Sequence, residues 1–294
     1  MSQNLVHLIR NSASSGGERK VAAALLDGYP FHALSTVEAL AKRADVSNPT
    51  VLRFLTKIGF PRFADFQAAV VMEVQKQAGS PLQQIDASRS ETPEGANLYQ
   101  TSLRRQAEAL RLTAEAVVPA EVDAFVALLA NPRHRIQCLG GRYSQNLSRR
   151  FSRQLAQLRA DVLQIEPQPG FHHEPLLDMG PRDVLVMFDY RRYQPDLFAF
   201  AQLARETGTR ICLFTDDTRS PIAGIAHAVM SAKEGLISPF GSRIVATAQI
   251  ETIIAAVVEA DRLAARQRLE RIEELRIRLA ELTRLAENRT GMDE

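Results

Sequence analysis

Residues 34–59 read LSTVEALAKRADVSNPTVLRFLTKIG, and this stretch decides how the first part of the chain folds. Val37, Leu40 and Ala41 recur at three- and four-residue steps, the buried stripe of a helix of two to three turns. Ser35 offers an N-cap, and Glu38 follows it at the spacing of a capping box. Asp45-Val46 is the turn. Ser47 is a good N-cap for the next helix, and Pro49 is tolerated in its first turn. Val51, Leu52, Leu55 and Ile58 give that helix its apolar face, and Gly59 stops it. Two short helices joined by a tight turn make a helix-turn-helix pattern. In such pairs the first turn of the second helix meets base edges. Ser47, Asn48 and Thr50 are therefore candidate base contacts, and Arg53 and Lys57 reach bases or phosphates. A polar helix face turned to solvent alone would have the same composition, so the pattern by itself leaves both readings open.

Working outward, Leu5, Leu8 and Ile9 and then Val21, Ala24 and Leu25 mark two earlier helices, with Asn11 to Gly17 between them and Tyr29-Pro30 after them. Phe60, Phe63 and Phe66 follow at helical spacing and read as core aromatics closing a small domain, with a helix running to about Gln77. The whole chain of 294 residues carries a net charge of only +2. Residues 1–80 hold nine Lys/Arg against six Asp/Glu. Any DNA binding must then come from the placement of charge rather than its excess. Cys138 and Cys212 lie in apolar runs, which fits buried free thiols in a reducing compartment. No signal-like leader and no apolar run of about 18 residues is present, so a cytoplasmic protein with no membrane partner is expected.

The length favours more than one core. Residues 80–96, within GSPLQQIDASRSETPEGA, read as a linker between residues 1–79 and a second domain over 97–261. Helical patterns cover Asn97 to Val118 and Pro119 to Ala130. Then short apolar strands alternate with helices: Ile136–Leu139, Val162–Ile165, Asp183–Phe188 (DVLVMF), Arg210–Phe214 (RICLF) and a weaker Ala226–Met230, with a long apolar helix from Arg243 to Asp261. The alternation predicts an α/β domain, a parallel sheet covered by helices on both faces. Ligands bind such sheets at the carboxyl ends of the strands, here the loops Gly140–Ser144, Asp189–Gln194 and Thr215–Ser220. Residues 262–294 form a C-terminal amphipathic helix and tail. Leu269, Ile272, Leu275, Leu279, Leu282 and Ala286 line one side, able to pack on a partner helix or on its own domain.

Together these residues resemble the RpiR-type transcriptional regulators over about residues 3–260. The resemblance rests on Glu18-Arg19-Lys20-Val21-Ala22, Ser35 to Ala41, Val46-Ser47, Thr50-Val51, Arg53-Phe54, Lys57-Ile58-Gly59-Phe60 and Phe63-Asp65-Phe66. In the second half it rests on Ser220-Pro221-Ile222-Ala223 and on Ser242-Arg243 opening the long helix. It implies an all-α helix-turn-helix domain followed by a sugar-isomerase (SIS) domain. The expected partners are an operator in double-stranded DNA and a second copy, or three further copies, of the chain.

The resemblance also implies a phosphosugar cradle of small hydroxyl and glycine residues in a G-x-G-x-S loop and an S-x-S-G-x-T loop. This sequence departs from it. Arg142 replaces the second glycine of the first loop, and Asp189, Arg191, Arg192 and Gln194 replace the usual small residues of the second. Three readings stand side by side. Arg142, Arg191 and Arg192 could hold a small anionic metabolite, a sugar phosphate or carboxylate, through their guanidinium forks. Asp189 could instead pair with an arginine and close a purely structural domain. Or these side chains make a subunit contact. The candidate effector set is Gly140, Arg142, Ser144, Asp189, Arg191, Arg192, Gln194, Thr215 and Ser220.

SIS domains also occur in isomerases, whose chemistry needs a base near a carbonyl. His172, His173 and Glu174 are the local cluster of the right types. They lack helical i, i+4 spacing for a metal, and no P-loop, dinucleotide fingerprint or nucleophile elbow is present. The expectation is a regulator without catalytic residues, cofactor or metal.

Overall fold

The computed structural model describes residues 5–77, 97–166, 173–235, 238 and 240–290. The first domain is helical: α1 (Leu5–Ser12), α2 (Gly16–Asp27), a 3-10 turn at His32–Leu34, α3 (Val37–Ala44), α4 (Asn48–Lys57) and α5 (Phe63–Gln77). Its capping box sits at α2, where the Ser15 hydroxyl accepts the Glu18 N–H and the Glu18 carboxylate accepts the Ser15 N–H. The box expected at Ser35 and Glu38 does not form. Two hydroxyls compete there, and α3 begins one residue later, with Thr36 accepting the Ala39 N–H at 3.2 Å. Ser35 instead donates to the His32 carbonyl at 2.7 Å and closes the 3-10 turn. Asp45 ends α3 in the left-handed region at φ 51°, a conformation that Asp tolerates better than most residues.

Helix α4 also corrects the expected apolar face. Val51, Phe54, Leu55 and Ile58 are buried, and Leu52 is 39% exposed. Positions 51, 54, 55 and 58 follow the i, i+3, i+4, i+7 rule of one helix face, from which Leu52 stands one step away. Phe66 is fully buried, with the Phe60 ring edge-on 5.3 Å from it and Phe63 at 6.4 Å. The three phenylalanines thus close the domain as core residues. The expected linker, 80–96, lies outside the described residues.

The second domain begins with α6 (Leu98–Glu115) and α7 (Pro119–Ala130). It continues β1 (Arg135–Gly140), α8 (Gln145–Leu158), β2 (Val162–Gln164), β3 (Asp183–Phe188), α9 (Pro195–Glu206), β4 (Arg210–Asp216), β5 (Ala228–Ala232) and α10 (Ile244–Ala260). The five strands form one parallel sheet in the order β2-β1-β3-β4-β5. Side chains alternate between its faces. Cys138, Val186, Cys212 and Ala228, aligned across neighbouring strands, face a core with Phe125 of α7, Phe151 of α8 and Ile250 of α10. Both cysteines are free and buried there. Leu185, Met187, Ile211 and Leu213 face the opposite way, onto Phe198 and Ala201 of α9.

That second core does not stop at the domain edge. It runs through Ile222 and Ile225 into Leu34, Leu25 and Phe66 of the first domain, as one buried cluster. Gln202 of α9 donates to Gln67 of α5, which in turn donates to the Ser35 carbonyl at 2.9 Å.

Helix α11 (Arg262–Thr290) packs its first half on α8, where Arg268 donates to the Ala156 carbonyl at 3.0 Å. Beyond it the apolar stripe is open, with Leu279 66% and Leu282 56% exposed. No helix among the described residues is long and apolar enough to cross a membrane.

Candidate functional site

Two surfaces carry the residues singled out from the sequence. The first is the outer side of α4. Ser47 and Arg53 are exposed, Asn48 and Thr50 half-buried. Ser47 stands at the N-cap, but its hydroxyl pairs with that of Thr50 at 3.0 Å and caps no backbone amide. Gly17, at the start of α2, lies against Thr50. A Cβ there would stand 3.2 Å from the threonine methyl, so α2 begins beside the first turn of α4. Lys57 is engaged within the protein: its ammonium donates to Ser14 Oγ at 2.6 Å and to Glu18 Oε2 at 2.8 Å. The hydrogen bond from Lys57, helped by the N–H groups of Ser15 and Ser14, holds the Glu18 carboxyl at about 2. Lys57 therefore clamps the end of α4 to the start of α2. Arg53 and Leu52 remain as the exposed side chains at the middle of the helix.

The second surface lies at the carboxyl ends of β1, β3 and β4. All nine residues of the candidate effector set lie at these three strand ends, but their environments differ. Gly140 is tight against the start of α8, where a Cβ would meet the Ser144 carbonyl at 2.6 Å. Ser144 accepts the Gly141 N–H at 2.9 Å and donates to the Phe188 carbonyl at 2.5 Å. Thr215 accepts the Ser220 N–H at 2.9 Å. The hydroxyls of Ser144 and Thr215 are thus buried and engaged with backbone. Gln194 accepts the Arg142 N–H at 2.5 Å and donates to Asp196.

Asp189 is buried, and its partner is Ser220 rather than an arginine; the Ser220 hydroxyl donates to Asp189 Oδ2 at 2.5 Å. Burial pushes the Asp189 carboxyl up to about 8, with the serine hydrogen bond pulling the other way. A second buried carboxylate, Asp216, accepts from the Tyr193 hydroxyl at 2.5 Å, from Thr218 N at 3.0 Å and from the Arg191 N–H. Burial raises its pKa as well, against those hydrogen bonds.

The arginines gather at the rim. Arg192 lies 4.4 Å above the Tyr143 ring and Arg142 5.2 Å from it. Arg192 and Arg219 both hold the left-handed backbone conformation, at φ 69° and 62°. Non-glycine residues so held cluster at ligand clamps and switch regions. Arg191 reaches Thr218 at 3.0 Å and pairs with Glu234, whose other oxygen takes Arg243 at 2.7 Å. Tyr143, Arg191, Arg192, Glu234, Arg243 and Gly241 line a cleft of about 40 Å3. Three cations stand there against one carboxylate. Glu234 and Arg243 were missing from the candidate set. They come from the loop after the weakest strand and from the start of α10. The Ser242-Arg243 pair was visible as a family feature, but nothing local ties it to the other loops.

The His-His-Glu cluster falls elsewhere. His172 lies outside the described residues. Glu174 opens a 3-10 turn running to Leu177, and the carbonyl of Asp178 just after it is bonded by Arg135 at the amino end of β1. This is the connection that leads to the opposite end of the sheet from the cleft. No group of three or more His, Cys, Asp or Glu residues suited to a metal occurs among the described residues.

Comparison with known proteins follows the same division. Residues 4–77 match the helix-turn-helix domain of the rpiR family, and residues 128–259 match the SIS domain. No curated protein matches the chain. Among solved structures it is similar to the Vibrio vulnificus NanR protein complexed with ManNAc-6P, with 16% identity, a TM-score of 0.54, and 94% of this chain and 99% of that one covered. It is also similar to the sugar isomerase domain of an RpiR transcription factor from Sphaerobacter thermophilus, with 21% identity and a TM-score of 0.56, over 61% of this chain and 99% of that one. At such identities these likenesses show the fold.

Proposed function

The chain belongs to the RpiR-type transcriptional regulators, an rpiR-family helix-turn-helix standing before a SIS domain, and from that premise we propose that it binds a specific operator under the control of a small anionic metabolite. The observation that carries the reading is the union of two surfaces in one buried core. An exposed recognition helix is packed, through α5 and α9, onto a sheet whose strand ends hold an arginine-lined cleft.

Ser47, Asn48, Thr50 and Arg53 face the major groove in this reading, while Lys57 fixes the helix and lies at its phosphate-facing end. Two copies present two such helices about 34 Å apart, one turn of DNA, and so read a palindromic site. The effector is a sugar phosphate or a carboxylate. The similar NanR protein is complexed with a sugar phosphate, ManNAc-6P, and the arginine rim suits either anion. Binding in the cleft favours one placement of the two helical heads over another and changes operator affinity by that difference. The chain works in the cytoplasm and catalyses no reaction.

Arg53→Ala is the direct test. A base-contacting arginine is worth about 1–3 kcal/mol, so affinity for the operator selected by the wild-type protein should fall roughly 5- to 150-fold. The folded state should be unchanged, because the side chain is exposed. Wild-type affinity in a band-shift titration would remove α4 from the DNA interface.

A further inference from the structure

The cleft contains an acceptor that the protein itself leaves unfilled. The Glu234 side chain is 5% exposed and lines the cleft. One of its oxygens takes the Arg243 guanidinium at 2.7 Å. The other, Oε2, is buried without a hydrogen-bond partner. Arg191 Nε is 3.7 Å from it, within reach of charge but beyond a hydrogen bond. A second polar atom in the same region, the Tyr190 hydroxyl, is also buried and unpartnered, under the Arg243 guanidinium that lies 4.7 Å from the Tyr190 ring. Buried polar groups are nearly always satisfied, so an acceptor left open at the wall of a cleft points to a group that arrives from outside.

The charges define that group. Arg191, Arg192 and Arg243 outnumber Glu234, so the site is net positive and disfavours an ammonium ion. The donor that completes Glu234 is therefore neutral, and a hydroxyl is the neutral donor that small phosphates and carboxylic acids most commonly carry beside their charge. Tyr143 and Phe240 line the same cleft and offer apolar surface to the rest of the molecule.

We propose that the cleft selects ligands bearing a hydroxyl beside an anionic group, with Glu234 Oε2 accepting the hydroxyl while Arg191 and Arg192 hold the phosphate or carboxylate. Glu234 is then the residue that separates hydroxylated phosphates or hydroxy acids from simple anions of equal charge. This rests on the effector reading of the same cleft.

Two matched pairs test it by titration calorimetry on the full-length protein: glycerol 3-phosphate against propyl phosphate, and glycerate against propionate. The hydroxylated member should bind at least about tenfold tighter in one pair, and the pair that shows the preference tells phosphate from carboxylate. In Glu234→Gln, Arg243 draws the amide oxygen to itself and places the NH2 group where Oε2 stood, so the preference should collapse to within about twofold. Equal binding of both members by the wild-type protein would overturn the proposal and leave the anion site standing. A preference kept in Glu234→Gln would overturn the assignment to Glu234. Failure of all four ligands to bind would overturn the effector reading and this inference with it.

Discussion

Gln194 Oε1 accepts the backbone N–H of Arg142 at 2.5 Å, and a Cβ built on Gly141 would stand only 2.4 Å from that same oxygen. The loop that opens α8 is thus sealed by a side chain of the loop that follows β3. Backbone amides at the start of a helix attract anions, and here a neutral amide oxygen holds that place. Gln194→Ser shortens the plug and frees the Arg142 N–H. A hydrogen bond to a charged group is worth about 1.5–3 kcal/mol, so inorganic phosphate should bind the variant roughly tenfold more tightly or better by calorimetry. An unchanged affinity would show that this amide lies outside the anion's reach.

Asp189 gives the protein a pH dependence with a definite sign. Its carboxyl is pushed up to about 8 by burial, while in the unfolded chain it titrates near 4. Between those values the unfolded state loses a proton that the folded state keeps. Stability from this group therefore falls as pH rises from about 4 and levels off above about 8. Asp189→Asn keeps an acceptor for the Ser220 hydroxyl and cannot ionise. Urea midpoints at pH 5 and pH 8 should differ less in the variant than in the wild type, and the variant should be the more stable of the two at pH 8. Equal pH slopes would mean that Asp189 is ionised in the folded state.

The same Ser220 begins a short path to the DNA-reading domain. From its bond with Asp189 the chain enters the 3-10 turn Pro221–Gly224. A Cβ on Gly224 would stand 3.1 Å from the Phe31 carbonyl and 3.4 Å from that of Leu34, so the turn lies directly on the segment before α3. Gly224→Val places a branched side chain in that contact, and overpacking of this kind costs about 1–3 kcal/mol. Calorimetric unfolding should be a single transition in the wild type, whose buried cluster spans both domains, and should split into two in the variant. A single transition in the variant, shifted or not, would show that this contact does not couple the domains.

The parts legible in the sequence were those set by local chemistry. DVLVMF and RICLF read as buried strands because nearly every residue is apolar, and the parallel order followed from the helices between them. The turn at Asp45 and the start of α4 followed from the residue types there, although the Ser47 hydroxyl bonds Thr50 rather than a backbone amide. What escaped was decided by competition or by distance. Ser35 and Thr36 are both good caps, and only packing chooses between them. Leu52 and Phe54 are both apolar, and a helix of 10 residues buries one and exposes the other. Glu234 and Arg243 meet Arg191 only when β3, β5 and α10 are assembled, and no spacing along the chain announces it. Arg191 and Arg192 were visible as replacements for small residues, but the partners that hold them were not.

The open stripe of α11 carries the prediction for assembly. Ile272, Leu275, Leu279 and Leu282 follow one another at steps of three, four and three, the spacing of a seam between paired helices. The first half of α11 is held on α8, but Leu279 and Leu282 are more than half exposed. Burying a leucine contributes about 1.5–3 kcal/mol, so two such seams brought together from two copies of the chain would add several kcal/mol to a dimer and nothing to a monomer. Leu279→Glu with Leu282→Glu should lower the mass measured by light scattering at micromolar concentration and weaken operator binding, because paired half-sites need paired heads. Thermal unfolding of the separated monomer should stay close to that of a wild-type monomer obtained by dilution, since neither side chain belongs to its core. An unaltered mass would place the subunit contact elsewhere, and α11 would then be a helix that serves its own domain alone.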